Sequence, residues 1–427
     1  MYWREPLSTI QSLCLLLIAA HLLGVMARRA GLPEILGQIV AGAALGPAGL
    51  RWVAPDASLG CASDLALLFV VIASGLELQL ASVLRVYRGG GIAKPLPGLL
   101  LPAAAGVLLG RAAGIDWPGT TVIGLSLAVT ALPVALRILS SYGLQSTRLA
   151  RIAIACALLD DVLVLLVLGV LPAAAGADAP AASLLGMAML RLCGLLGLVA
   201  VSGWLCRRWT WRQGVAQQPV AAQKLPALIL ILLMAGASEA LRLHFAIGAF
   251  LGALTVSRYG GSADDRHVLH SPADTLTSLL FAPLFLASQG LHMAPVDLSQ
   301  LGFIAALTAA AVASKLVGGY WCGRLFGLGR HDARGVAIIL NARGVMATVA
   351  AAIALRSGLI EARLYTSLLS TALLATVITL LLMRSWRSKL DGAVAGSVLN
   401  QHEHGDRQSD QADRRHPRRD EHVADHH

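Results

Sequence analysis

The chain has 427 residues, of which 56% are hydrophobic and 14% are charged, and its mean hydropathy is +0.69. Soluble globular domains carry about 25% charged residues, so this composition excludes an ordinary soluble protein and indicates a polytopic membrane protein. The net charge of +10 does not indicate nucleic acid as a partner, because basic residues of membrane proteins accumulate in cytoplasmic loops.

Thirteen segments are apolar enough to form transmembrane helices, which need about 20 mostly apolar residues each. They cover approximately residues 7–26, 32–50, 64–80, 92–112, 119–141, 150–172, 182–206, 225–241, 244–257, 275–292, 299–323, 335–356 and 360–383. Lys and Arg concentrate in the connections that follow odd-numbered segments. This bias predicts a multi-pass protein of the plasma (inner) membrane with its N-terminus outside and its C-terminus in the cytoplasm.

The fifth segment contains a proline near its middle. Thr130 and Ala131 precede Pro133, and a proline inside a helix removes a backbone hydrogen bond and clashes with the preceding turn. The sequence therefore predicts a break in this helix, with the Thr130 hydroxyl beside it. The alternative is a simple proline kink, since membrane helices tolerate proline.

The sixth segment contains two adjacent carboxylates, Asp160 and Asp161, with no other charge between Arg151 and Asp178. A carboxylate near the bilayer centre costs about 2.5–3.5 kcal/mol on insertion scales, and buried charges in membranes usually pair with one another. Lys315, in the eleventh segment, is the partner that we expect for one carboxylate. Successive helical residues point about 100° apart, so the other carboxylate would face an aqueous cavity. Such a cluster can exchange protons for a cation, and the alternative is a static salt bridge between helices.

The twelfth segment contains Asn341, Arg343 and Gly344 near its middle. Arg343 is too far from either end of the segment to bring its guanidinium group easily to the membrane surface. We therefore expect a second broken helix here, with a snorkelling arginine in a continuous helix as the alternative.

Thirteen segments can divide into six, one linker and six, so that the second block begins on the opposite face of the membrane. That is the arrangement of an inverted repeat, in which two matched broken helices form the transport site. The predicted fold is thus all-α, with two inverted six-helix repeats and two discontinuous crossing helices. Repeat one covers residues 7–172, the linker helix 182–206 and repeat two 225–383, within a transmembrane domain of residues 1–385.

Two glycine motifs occupy matching places in these repeats. Gly42-x-x-x-Gly46 lies in the second segment, and Gly248-x-x-x-Gly252 lies in its counterpart, the ninth. The motifs support the symmetry only weakly, because pairs of small residues usually mean close helix packing.

The order of motifs along residues 10–385 resembles the monovalent cation/proton antiporters of the Kef-type and plant CHX-like branch of the sodium/hydrogen exchanger superfamily. The matching stretches are Gly37–Gly49, Ser74–Glu77, Ala128–Leu139, Leu159–Val162, Gly248–Leu254 and Asn341–Gly344. This resemblance implies a secondary transporter, not an enzyme, that exchanges Na⁺ or K⁺ for protons. It also implies a homodimer that moves its core domain by an elevator-like step.

The resemblance assigns a role to each residue of the cluster. It makes Asp161 the carboxylate that carries the ion or proton and Asp160 the partner of Lys315, and it places Thr130 with them in the ion- and proton-binding site. Arg343 would balance the charge from the twelfth segment. The unwound regions would contain Ala131, Pro133, Asn341 and Gly344.

Two other functions use the same features. A K⁺ efflux pathway of the channel type would conduct the cation without obligatory proton movement, and a membrane sensor would transport nothing. Residues 386–427 are polar and hold six of the twelve histidines, which predicts a disordered cytoplasmic tail. A pH sensor or a weak metal site in that tail is the alternative.

We expect no cofactor and no metal centre. The six cysteines, Cys14, Cys61, Cys156, Cys193, Cys206 and Cys322, form no close pair along the sequence. They are expected to be apolar buried thiols instead of disulfides or metal ligands.

Overall fold

The computed structural model describes residues 8–76, 86–87, 91, 93–130, 132–145, 147–175, 181–212, 220–241, 243–259 and 275–386. Regular secondary structure in these ranges is entirely helical, which confirms the predicted all-α class. The helices are α1 (Thr9–Arg29), α2 (Glu34–Leu45), α3 (Ala57–Leu76), α4 (Leu96–Ala112), α5 (Trp117–Ala128), α6 (Leu132–Ser141), α7 (Arg148–Ala175), α8 (Ala181–Arg212), α9 (Val220–Ala240), α10 (Phe245–Tyr259), α11 (Ala282–Leu291), α12 (Leu298–Leu325), α13 (Arg330–Leu340), α14 (Val345–Arg356) and α15 (Ala362–Trp386), with a π-helical turn, Thr277–Phe281, before α11.

Five of the described helices are long and apolar enough to cross a membrane. They are α1, α3, the Arg148–Gly169 part of α7, α12 and α15. The shorter apolar helices among the described residues include α2, α4 and α14. The total of thirteen spans stays a prediction.

The helices fall into two packed groups within residues 1–379. One group of helices that pack on one another, the panel group, consists of α1, α2, α3, α9, α10 and α11. The other, the site group, consists of α4, α5, α6, α7, α12, α13 and α14. A second unit comprises residues 380–427, of which the structure describes only the end of α15, residues 380–386. All contacts that define the candidate site lie in the first unit.

The glycine motifs mark places where helices of the panel group touch. A Cβ atom on Gly42 would lie 1.8 Å from the carbonyl oxygen of Ala287 in α11. A Cβ atom on Gly248 would lie 2.0 Å from the carbonyl oxygen of Met234 in α9. Both positions require glycine for close packing, as small-residue motifs in membrane helices generally do. The inverted repeat itself stays a prediction.

Two of the predicted segments are each divided into two helices. The fifth segment becomes α5 and α6, which are separated by Thr130 and by the extended residue Val129 (φ −65°, ψ 142°). Ala131 lies outside the described residues. Pro133 is the second residue of α6, where its missing N–H group costs nothing. It therefore belongs to the start of a new helix and does not kink a continuous one.

The twelfth segment is divided in the same way. Its first part is the end of α13, its second part is α14, and residues 341–344 between them are not helical. Asn341 caps the C-terminus of α13, and Gly344 is the residue before α14. The backbone hydrogen-bonding groups that each break releases need other partners, because no water is available in the middle of a membrane.

Candidate functional site

Asp160 and Asp161 lie inside α7, in the middle of the site group. They are 1% and 0% exposed, and the residues on either side of them along α7 are apolar. Successive residues of an α-helix are rotated by about 100°, so the two carboxylates point in different directions. The structure gives them very different surroundings.

Asp160 forms an ion pair with Lys315 of α12. The distance between Asp160 Oδ2 and Lys315 Nζ is 2.8 Å, and both side chains are almost fully buried. Lys315 Nζ also donates to the carbonyl oxygen of Gly98, at 3.0 Å, and to that of Ala128. An ammonium group has three donors, and here each has an acceptor, so the buried charge of Lys315 is fully hydrogen-bonded.

Arg343 lies at the end of α5, although it belongs to the second break. Its Nη1 and Nη2 atoms donate to the carbonyl oxygens of Ser126 and Leu127. The last carbonyl groups of a helix lack partners within it, and the next one, Ala128, accepts from Lys315. Two buried cations thus satisfy three successive carbonyl groups at the negative end of the α5 dipole.

Thr130 connects the two breaks. Its Oγ1 atom lies 2.9 Å from Asp160 Oδ2 and 3.0 Å from the carbonyl oxygen of Leu340, the last residue of α13. A hydroxyl group has one proton to donate, so these two acceptors compete for it. The position of that proton is therefore tied to the charge on Asp160.

The end of α13 is satisfied mainly by its own backbone. The N–H group of Asn341 donates to the carbonyl groups of Ala337 and Ile338, and the N–H group of Ala342 donates to Ile339. The side chain of Asn341 donates from Nδ2 to Thr379 Oγ1 at 2.8 Å. This break is thus closed without a charged group bound to the end of its helix.

Asp161 has no comparable partners. Neither of its carboxylate oxygens has a hydrogen-bond partner among the described residues, and the same holds for Asp160 Oδ1 and Asn341 Oδ1. A buried acceptor without a partner is costly, and an unpaired buried carboxylate is more costly still. The arrangement favours any small positive species that reaches Asp161, such as a proton or a metal cation.

The formal charges of the cluster sum to zero when both carboxylates are ionised. Asp160 and Asp161 carry two negative charges, and Lys315 and Arg343 carry two positive charges. Binding one proton or one monovalent cation raises the sum by the same amount. Electrostatics therefore do not distinguish the two ligands, whereas a divalent cation would leave twice the uncompensated charge in a low-dielectric site.

The structure brings most of the predicted site residues into one cluster. Thr130, Asp160 and Lys315 are joined by hydrogen bonds, and Arg343 joins them through the end of α5. Asn341 and Gly344 bound the second break. The side chain of Pro133 and the whole of Ala131 are outside the described structure.

Sequence reasoning missed the backbone groups that complete the site. The carbonyl groups of Gly98, Ser126, Leu127, Ala128 and Leu340 accept hydrogen bonds from the cluster. A carbonyl group leaves no mark in the sequence, but the rule that the last turn of a helix has free carbonyl groups identifies three of these positions once a break near Thr130 is predicted.

The expectation that the cysteines are buried was wrong at three positions. Cys156 of α7 and Cys322 of α12 are buried. Cys14, Cys61 and Cys193 are exposed on their helices, not buried.

The chain matches the family model for the transmembrane region of sodium/hydrogen exchangers over residues 15–384. The chain belongs to the sodium/hydrogen exchanger family. This confirms the predicted family, whose members are transporters and not enzymes, and with it a multi-pass membrane protein.

Two relatives extend over most of the chain. A Na⁺/H⁺-K⁺ antiporter of Bacillus cereus, GerN, is 28% identical over 375 residues, which cover 86% of this chain and 93% of the relative. A Na⁺/H⁺ antiporter of Enterococcus hirae is 29% identical over 385 residues, which cover 88% of this chain and 98% of the relative.

The fold is also that of a solved structure. The sodium proton antiporter MjNhaP1 from Methanocaldococcus jannaschii, determined at pH 8, aligns with a TM-score of 0.68 at 16% sequence identity. The alignment covers 89% of this chain and 97% of that one. At this identity the similarity establishes the fold.

Proposed function

We propose that the protein is a secondary antiporter that exchanges a monovalent cation, Na⁺ or K⁺, for protons, and that Asp161 carries either ligand. The observation that carries the proposal is the state of Asp161. It is fully buried next to the ion pair of Asp160 and Lys315, and both of its oxygens lack partners among the described residues. Competition of a proton and a cation for one carboxylate gives coupled exchange without a separate gate.

Asp160 and Lys315 have a supporting role in this proposal. Their ion pair places a negative and a positive charge beside Asp161, and Asp160 releases or captures Lys315 as the site fills. The Thr130 hydroxyl responds to this change, because it donates its one proton either to the Asp160 carboxylate or to the carbonyl oxygen of Leu340. Arg343 keeps the end of α5 in place and balances the second carboxylate.

The two breaks supply the geometry that lets an ion approach. In the proposal, Ala131 and Pro133 belong to the first unwound region, and Asn341 and Gly344 belong to the second. Broken helices of inverted-repeat transporters present free helix ends to the transported ion, and the carbonyl oxygens and side-chain oxygens found here are ligands that hard cations prefer.

The wider arrangement follows the sequence predictions. We propose that residues 1–385 form the transport domain in the plasma membrane, with two inverted repeats, an external N-terminus and a homodimeric assembly. Residues 386–427 would form a cytoplasmic tail. We propose both Na⁺ and K⁺ as substrates, because the name of the Bacillus cereus relative includes both ions.

Flux measurements on the full chain in proteoliposomes test the proposal. A pH gradient is imposed, uptake of radioactive Na⁺ or of the K⁺ analogue Rb⁺ is followed, and a trapped dye reports internal pH. We expect cation uptake and proton release to occur together and to stop together when the gradient is collapsed. Cation flux without proton movement would identify a channel-type pathway, and absence of flux with either ion would identify a non-transporting protein.

A further inference from the structure

We propose that Asn341 supplies a ligand by which the site distinguishes a metal cation from a proton. In this proposal the Asn341 Oδ1 atom binds the cation together with the carboxylate oxygens, and Thr379 holds the amide group in the orientation that this requires. The proposal rests on the proposed function, because it adds a ligand and a basis for selectivity to the same site.

The Asn341 side chain is a buried amide group of which only one end has a partner. It is fully buried, and its Nδ2 atom donates to Thr379 Oγ1 of α15 at 2.8 Å. Its Oδ1 atom is the only buried amide oxygen of the described residues that lacks a hydrogen-bond partner. Leaving a buried acceptor unpaired is unfavourable, so this oxygen favours a ligand that carries positive charge.

Thr379 determines which end of the amide group is free. The Thr379 hydroxyl donates to the carbonyl oxygen of Ala375 in its own helix, at 2.8 Å. A hydroxyl group has only one proton to donate, so Thr379 can only accept from Asn341. Nδ2 is therefore the atom that faces Thr379, and Oδ1 points away from it.

Hydrogen bonds connect Asn341 to the carboxylate pair. Asp160 Oδ2 and the carbonyl oxygen of Leu340 lie 2.9 and 3.0 Å from the same atom, Thr130 Oγ1. Leu340 is bonded directly to Asn341. Helix α13, whose C-terminus Asn341 caps, also packs on α7, the helix that carries Asp160 and Asp161. The free oxygens of the amide group and of the carboxylates thus belong to the same part of the site group.

A cation and a proton use such a set of oxygens differently. A hard cation contacts several oxygens at once, and the amide oxygens of Asn and of the backbone are common ligands in calcium sites and in potassium filters. A proton on Asp161 donates one hydrogen bond, for which Asp160 Oδ1 is another free acceptor. Loss of the Asn341 oxygen should therefore weaken cation binding much more than proton binding.

A neutral ligand also preserves the charge balance of the cluster. The formal charges sum to zero when both carboxylates are ionised, so a third carboxylate would make the sum negative and would favour a divalent cation. The amide group of Asn341 adds an oxygen without adding charge. It thereby increases the affinity for a cation and keeps the preference for a monovalent one.

Equilibrium binding of radioactive Na⁺ or Rb⁺ to the detergent-solubilised full chain tests the ligand. At alkaline pH, where protons compete least, Asn341→Ala should raise the Kd by about 10- to 100-fold, the range expected when one interaction with a charged group is lost. Thr379→Val keeps the oxygen but removes its support, so it should raise the Kd by less, and Thr379→Ser should bind like the unmodified protein. An unchanged Kd for Asn341→Ala would overturn the proposal.

Proton uptake separates a ligand from a residue that only shapes the break. The protein is titrated without Na⁺ or K⁺, and the uptake step that Asp161→Asn removes is followed in the other variants. Asn341→Ala should leave the midpoint of this step nearly unchanged. If proton uptake and cation binding weaken by the same factor, Asn341 supports the structure of the site and is not a cation ligand.

Gln289 of α11 provides a matched control. Its amide group is also buried, but its Oε1 atom accepts from the Tyr365 hydroxyl at 3.1 Å, and its Nε2 atom donates to Ser288 Oγ at 3.4 Å. Gln289→Met should leave the Kd for the cation unchanged. An increase in Kd as large as that of Asn341→Ala would show that loss of any buried amide group disturbs the site, which would also overturn the proposal.

Asn341→Asp tests the proposal in a variant that keeps the shape and the oxygen of the side chain but adds a charge. Ca²⁺ should displace Rb⁺ from this variant at a pH at which titration shows the added carboxyl group to be ionised, and it should not do so from the unmodified protein. Failure of Ca²⁺ to displace Rb⁺ there would contradict the role of Asn341.

Asp161→Asn distinguishes failure of this proposal from failure of the proposed function. If Asp161→Asn binds the cation as tightly as the unmodified protein, the proposed function fails. If Asp161→Asn loses binding while Asn341→Ala keeps it, only the role of Asn341 is wrong.

Discussion

The two interrupted helices of the site group differ in how their first halves end. At the end of α5, three successive carbonyl groups are bound by the side chains of Arg343 and Lys315. At the end of α13, backbone N–H groups and one neutral hydroxyl, that of Thr130, satisfy the carbonyl groups. One break is thus closed by two buried charges and the other by none.

The difference shows why the site can hold two carboxylates. The end of α5 and Asp160 together bind both buried cations, so the positive charge is held in place before any ion arrives. The positive charge stabilises the negative charge on Asp161, although Asp161 forms no hydrogen bond with either cation. If each of the two carboxylates were paired with one of the two buried cations, neither carboxylate would be free to bind a ligand.

The largest effect is expected when Lys315 is replaced by Met, because Asp160 and the Ala128 carbonyl then lose their buried partner. Removing one member of a buried ion pair lowers the free energy of unfolding by about 3–5 kcal/mol. Unfolding experiments in mixed detergent micelles can measure this loss. The double variant Asp160→Asn with Lys315→Met should recover most of that loss. If Lys315→Met alone unfolds like the unmodified protein, the first break does not depend on its lysine.

Replacing Arg343 by Met removes two charge-assisted hydrogen bonds from the end of α5. At about 1.5 kcal/mol each, at the lower end of their range, we expect a loss of about 3 kcal/mol in the free energy of unfolding. Arg343→Lys keeps the charge but cannot reach both carbonyl groups with a rigid fork, so it should lose about half as much. Equal effects of Met and Lys would show that the guanidinium geometry is irrelevant.

Thr130→Val probes the neutral break. The valine side chain has a similar shape but donates no hydrogen bond, so a loss of about 1 kcal/mol is expected, clearly less than for Arg343→Met. Thr130→Ser keeps the hydroxyl and serves as the matched control. A loss as large as that of Arg343→Met would remove the distinction between the two breaks.

The smallest effect is expected from the ion pair between Asp64 and Arg356, which lies at the far end of α14. These side chains are 39% and 34% exposed, and exposed ion pairs contribute about 0–1 kcal/mol. Arg356→Gln should therefore change unfolding little, and any change should vanish at high salt. A loss of stability comparable to that of Lys315→Met would show that burial does not determine how much an ion pair contributes to the free energy of unfolding.

Several features of this site could be predicted from the sequence. Pro133 and the run from Asn341 to Gly344 marked both breaks, because proline removes a backbone hydrogen bond from a helix and a deep arginine needs a partner inside the protein. The cost of burying a charge pointed to Asp160, Asp161 and Lys315 as one cluster, and the structure places them in one region of the site group.

Other features could not be predicted, because they depend on contacts between distant segments. Arg343 lies in the second break, but its side chain binds carbonyl groups at the end of α5, beside the first break and more than 200 residues earlier in the sequence. Hydrophobic patterns report which residues are buried, but they do not report which buried residues meet.

The most direct test of the central claim is the release of protons when a cation binds. Na⁺ or K⁺ is added to the solubilised protein in weak buffer, and we expect release of up to about one proton per chain from the unmodified protein. Asp161→Asn should release none, while Glu239→Gln, which changes an exposed carboxylate of α9, should behave like the unmodified protein. Proton release by Asp161→Asn equal to that of the unmodified protein would contradict the account.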